Sequence, residues 1–209
     1  MPHVLFWVGL MTLALPARAA EPIHILAFGD SLTAGYGLPA AESFAAQLEK
    51  RLQNAGRAVR VTNAGVSGDT TSGGLARLGW SLEDRPRLVI LELGANDGLR
   101  GLAPDRTRAN LDAMIRQCRE AGAAVILAGI HAPVNWGEDY KERFEAAFPE
   151  LARQYSLPFY PFFLEGVIGH SSLVLEDGLH PNVRGVARIV DGILPLVETE
   201  LDKLDTTPK

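Results

Sequence analysis

The feature that most constrains this chain is its rhythm. Short apolar runs rich in β-branched residues alternate with longer amphipathic stretches from residue 23 onward. Residues 23–28, 58–62, 88–93 and 124–130, with a short piece within 157–163, read as strands. Residues 39–54 read as a helix with Phe44, Leu48 and Leu52 on one face. Residues 70–82 and 104–121 read as two more, the second opened by a proline in its first turn. Tyr140, Phe144, Phe148 and Leu151 mark a fourth helical face, with Pro149 expected to interrupt it. A last helix starts near Asn182 with Val186, Val190, Ile193 and Val197 inward, and Pro195 is expected to kink or split it.

Strands that alternate with helices build a parallel sheet covered on both faces. Crossovers between parallel strands are right-handed. The expected fold is therefore α/β, a doubly wound three-layer α/β/α sandwich around a parallel sheet of about five strands. The whole chain has 209 residues, enough for one compact domain.

The first residues stand apart. Residues 4–15 form an almost unbroken apolar run, too short to span a bilayer comfortably. Pro16 and the small-x-small triplet Ala17-Arg18-Ala19 follow, although His3 is the only basic-type residue ahead of the run. The pattern reads as a signal peptide over residues 1–19 followed by one domain over 20–209. It places the mature protein in the periplasm or outside the cell, with no stable membrane insertion after cleavage; a monomer is expected.

Charge and cysteine content narrow the partners. Twenty Lys and Arg against 25 Asp and Glu give a net charge of -5, with no basic cluster, so nucleic acid is not an expected partner. The single cysteine, Cys118, shares a helical face with Leu111, Met114 and Ile115 and reads as a core residue.

In open α/β sheets, ligands bind beyond the carboxyl ends of the strands. Four polar segments fall there: Gly29-Asp30-Ser31, residues 63–71 (NAGVSGDTT), residues 94–98 (GANDG), and residues 177–180 (DGLH) before the last helix. Together they hold the parts of an acyl-transfer site. Ser31, at a strand-to-helix turn, is a candidate nucleophile. His180 is a candidate base, since imidazole takes and returns a proton near neutral pH. Asp177, three residues earlier, can orient it. The Asn96 amide and the backbone N–H groups of Gly68 and Ser31 are candidate oxyanion donors. Each residue also has a plain structural reading: Ser31 and Asn96 as helix caps, Gly68 as a turn glycine, Asp177 and His180 as a surface turn. Asp30 and Asp97 read as loop braces, His24 and His131 as structural or surface residues, and Trp136 and Tyr140 as packing or as walls of an acyl site.

The motifs GDSL (residues 29–32), SGDT with Gly68, GAND (94–97) and DGLHP (177–181) resemble, in order, the four sequence blocks of the GDSL/SGNH hydrolase superfamily. Longer stretches, GDSLTAGYGL, NAGVSGDTTSGGLARL, LELGANDGLRGL, PFF and DGLHPN, resemble its bacterial periplasmic acyl-CoA thioesterase, lysophospholipase and arylesterase branch. The resemblance implies a flavodoxin-like sandwich and an enzyme that needs no cofactor or metal. It implies a triad of Ser31, Asp177 and His180, and an oxyanion hole of Ser31, Gly68 and Asn96. The implied partners are small acyl esters (aryl esters, lysophospholipids) and acyl-CoA thioesters. A carbohydrate O-acetylesterase would use the same triad. The G-x-S-x-G elbow of α/β-hydrolases is absent. A metal phosphoesterase would need more clustered His and Asp, and a nucleotide-binding module would need a phosphate-loop motif.

Overall fold

The computed structural model describes residues 21–206, so the expected signal peptide lies outside the described residues. Five parallel strands stand in the order β2-β1-β3-β4-β5: β1 (Ile23–Gly29), β2 (Val59–Gly65), β3 (Leu88–Glu92), β4 (Ala124–Ala128) and β5 (Phe159–Tyr160). Among the described residues seven α-helices accompany them: α1 (Ser31–Ala34), α2 (Phe44–Asn54), α3 (Thr71–Leu82), α4 (Ala95–Leu99), α5 (Pro104–Glu120), α6 (Glu138–Tyr155) and α7 (Val183–Thr206). Right-handed crossovers put the β1-to-β2 connection on one face and the later ones on the other. Accordingly α2 packs beside α7, while α3, α5 and α6 lie together. The order 2-1-3-4-5 is the flavodoxin-like one, with its topological switch point between β1 and β3.

Covered strands need apolar residues on both faces. Every residue of β1 and β3 is buried, and Phe28, Ile25, Leu26, Leu88 and Ile90 are among the largest enclosed side chains. Burial of each such side chain contributes about 1.5–3 kcal/mol. Cys118 is buried in this core, which pushes its thiol up to about 12.

Several boundaries differ from the sequence expectation. The helix expected from residue 39 starts at Phe44. Residues Ala40–Glu42 form a separate 3-10 turn, and Ser43 then caps α2 by accepting from the Ala46 N–H. Strand β2 runs on to Gly65, because its pairing with β1 continues in register to Gly29. Residues 95–99, expected as loop, form the short helix α4. Neither inner proline ends its helix: Pro149 lies within α6 and Pro195 within α7. Pro195 and the residue four before it, Asp191, are both exposed, so water can reach the carbonyl that loses its N–H partner.

Candidate active site

The carboxyl ends of β1 and β3 flank the switch point, and the sequence-predicted residues gather there. Strand β1 ends at Gly29 and the chain turns at once into α1. Asp30 caps that helix, its Oδ1 accepting from the Leu32 N–H at 3.0 Å. Ser31 is then the first helical residue, where a backbone N–H has no intrahelical acceptor. Gly29 cannot carry a side chain, since a Cβ would stand 2.1 Å from Thr33 Oγ1 and 2.6 Å from the Glu92 carbonyl.

His180 reaches this turn from the loop before α7. Backbone bonds from Leu175 N–H to the His180 carbonyl and from Asn182 N–H to the Leu173 carbonyl tie the loop to its neighbour. Asn182 closes it by accepting from Arg184 and Gly185 N–H at the start of α7. His180 Nδ1 lies 2.6 Å from Asp177 Oδ2, and Nε2 lies 2.9 Å from Ser31 Oγ. A carboxylate only accepts, so Nδ1 donates to Asp177, and Nε2 of the neutral ring accepts from the Ser31 hydroxyl. Asp177 Oδ1 takes the Leu179 and His180 N–H groups. Those two backbone donors, His180 first, and then the ring hold the Asp177 carboxyl down to about 2. Tyr36 lies against the imidazole, ring centroids 4.4 Å apart.

Two further donors border the same space. Asn96, in the first turn of α4, gives one amide hydrogen to Asp30 Oδ2 at 3.2 Å and keeps a second. Gly68 adopts φ +83°, which favours glycine, and its carbonyl accepts from Arg100 at 3.0 Å. Ser31, Gly68, Asn96 and His180 all line one cavity of about 620 Å³. Its walls are otherwise mainly apolar, including Leu99, Ile130, Pro133, Phe162 and Ile168. The arrangement offers a hydroxyl in contact with a base, and converging donors beside an apolar hollow.

Other expectations sort by position. His24 is held by Asp84 and Thr62 in β1, remote from the cavity. His131 lines the cavity wall, stacked on Phe162 with centroids 4.0 Å apart. Trp136 and Tyr140 do not line it; they donate to the carbonyls of Gly98 and Leu102 and brace α4 and the segment after it. Asp97 braces more than its own loop: it accepts from Thr71 N–H, Thr71 Oγ1 and Thr107 Oγ1, joining α4 to α3 and α5. Among the described residues no group of three or more His, Cys, Asp or Glu converges as a metal site.

Two residues beside the site were not singled out from the sequence. Arg77 of α3 pairs with Asp69, covers the Phe28 ring and donates to the Gly29 and Ala64 carbonyls, so it fastens the ends of β1 and β2. No motif marks it. Glu92 is fully buried at the end of β3, directly beneath the serine turn. Its signal was present: one carboxylate in the otherwise apolar run LVILEL.

The profile of the GDSL-like lipase/acylhydrolase family matches residues 27–188. The chain is 41% identical to the esterase TesA of Pseudomonas aeruginosa, over 91% of this chain and 95% of that one. It is 40% identical to thioesterase 1/protease 1/lysophospholipase L1 of Escherichia coli, over 83% and 82%. A crystal structure of TesA superposes with a TM-score of 0.80 at 42% identity, covering 84% of this chain and 98% of that one. With sequence match and fold in agreement, the chain belongs to the GDSL-like lipase/acylhydrolase family.

Proposed function

We propose that this protein is a serine esterase and thioesterase that hydrolyses acyl esters and acyl thioesters through an acyl-enzyme on Ser31. The observation that carries the reading is the continuous relay from Asp177 through His180 to Ser31 Oγ, at 2.6 and 2.9 Å, opening on an apolar cavity. His180 Nε2 takes the hydroxyl proton as Oγ attacks the carbonyl carbon, and returns it to the leaving oxygen or sulfur. Water, activated by the same ring, then releases the acid. Asp177 holds the tautomer and stabilises the imidazolium. The N–H groups of Ser31 and Gly68 and the free hydrogen of Asn96 receive the oxyanion.

The names of the relatives support the same class: an esterase, an arylesterase from Vibrio mimicus, and a thioesterase/lysophospholipase. The apolar walls favour a hydrocarbon acyl group over an acetylated sugar, whose hydroxyls would go unpaired there. Ser31→Ala should remove nearly all esterase activity and leave the fold intact, and a fluorophosphonate should label the native protein at Ser31. Labelling elsewhere, or an active Ser31→Ala, would sink the assignment.

The reading extends to location. Residues 1–19 serve as a cleaved export signal, and the single domain works as a monomer in the periplasm or outside the cell. Mature protein should begin near Ala20; full-length protein recovered with membranes would contradict this.

A further inference from the structure

The mechanism above leaves the buried acid Glu92 unused. Glu92 is wholly enclosed at the end of β3. Its Oε2 lies 2.7 Å from Thr33 Oγ1 and accepts from the Asp30 N–H at 3.4 Å, while Oε1 has no hydrogen-bond partner among the described residues. A buried anionic oxygen without a donor is costly, and the neutral acid avoids most of that cost. Asp30, the adjoining residue in space, is equally enclosed but well supplied: Leu32 N–H on one oxygen, the Asn96 amide on the other.

We propose that Glu92 is a positioning residue for the oxyanion donor Asn96: it stays protonated beneath the serine turn, so that Asp30 alone carries the negative charge of the pair and holds the Asn96 amide in place. Two enclosed carboxyls this close cannot both ionise cheaply. The one with donors on both oxygens keeps the charge, and the one with a bare oxygen keeps the proton. Charge on Asp30 strengthens its bond from Asn96 Nδ2. That bond fixes the amide plane and hence the direction of its second hydrogen, on a residue that lines the cavity. The directions of the shifts agree: burial, then the Asp30 charge, pushes Glu92 well above the ordinary carboxyl range, while burial pushes Asp30 only to about 6.

Few other charges face the pair. Asp97 approaches from α4 and His180 from the loop before α7, and Arg77 of α3 binds the Gly29 carbonyl one residue before Asp30. Asp97 favours a protonated partner and His180 an ionised Asp30. Asp69 is occupied by Arg77.

The inference rests on Asn96 acting as an oxyanion donor, so its test reads protonation and amide geometry as well as rate. Infrared spectra of the wild type at neutral pH should contain a protonated-carboxyl C=O band that Glu92→Gln removes. The Asn96 side-chain amide resonances should shift at alkaline pH in the wild type, as Glu92 ionises, and should stay still there in Glu92→Gln. Glu92→Leu, which withdraws the acceptor of Asp30 N–H and the partner of Thr33, should lower kcat about tenfold with little change in KM. Glu92→Gln should recover most of that loss. Absence of the carboxyl band from the wild type, or an Asn96 amide that titrates alike in both proteins, overturns the inference even if Asn96 proves to be an oxyanion donor. Failure of Glu92→Gln to recover activity beyond Glu92→Leu overturns the role in positioning.

Discussion

At the scale of single residues, the site is a set of donors and acceptors, and Asn96 shows how one of them is held. Asn96 gives one hydrogen to Asp30 and keeps the other. Asn96→Ala should therefore lower kcat by about 10²–10³ with a smaller change in KM, since the donor serves charge present only in the transition state. Steady-state kinetics on one aryl ester measure this; a defect confined to KM would move Asn96 to substrate binding. Asp177 makes a different kind of prediction. Its carboxyl is held at about 2, below its ordinary value, by the His180 and Leu179 N–H groups and the ring. It stays ionised well above about pH 2, so an acid limb of kcat/KM near neutral pH belongs to another group. Asp177→Asn should be slower by orders of magnitude, about 10⁴ where such a replacement permits the wrong tautomer. A near-normal kcat with an unmoved pH profile would remove Asp177 from the relay.

At the scale of elements, the carboxyl-end rule made the site legible before any coordinates. Four polar segments followed apolar runs or preceded the last helix, and Ser31, Gly68, Asn96, Asp177 and His180 do line or adjoin one cavity end of the sheet. What the sequence left dark is tertiary. Nothing local tells that Arg77 will cap two strand ends, or that Asp97 will reach Thr71 and Thr107 on other helices. Pro149 and Pro195 misled for a related reason: proline's local cost is real, but packing of the rest of each helix outweighs it. Asp97 carries the element-scale prediction. Its removal strands the Thr71 N–H in a buried place, and two threonine hydroxyls lose their acceptor. Asp97→Ala should cost about 3 kcal/mol or more, at about 1–3 kcal/mol for each of the three groups left unpaired. Urea denaturation reads the change; a loss under about 0.5 kcal/mol would show that the three-element junction does not depend on it.

At the scale of the whole molecule, the acids of the site act on stability with opposite signs. Asp177 has a lowered folded-state pKa. Its stabilisation is present above the ordinary aspartate value and fades as pH falls toward about 2. It is partly exposed, so solvent screening keeps that stabilisation small. Asp30 is buried and its pKa is raised from 3.8 to about 6. The folded state therefore binds its proton more tightly than the unfolded chain does. Stability from this group is greatest below about pH 4 and is lost as pH rises through about 6. Asp30→Asn keeps the shape and cannot ionise. Relative to the wild type it should gain stability as pH rises from 4 to 7 and then hold that gain, because the wild type alone is charging a buried group across the window. Calorimetric melting of both proteins at intervals across that range measures the difference. The sign matters most: an Asp30→Asn curve that runs parallel to the wild type from pH 4 to 7 would mean that Asp30 does not take up its charge there, and that the enclosure beneath the serine turn is paid for elsewhere in the fold.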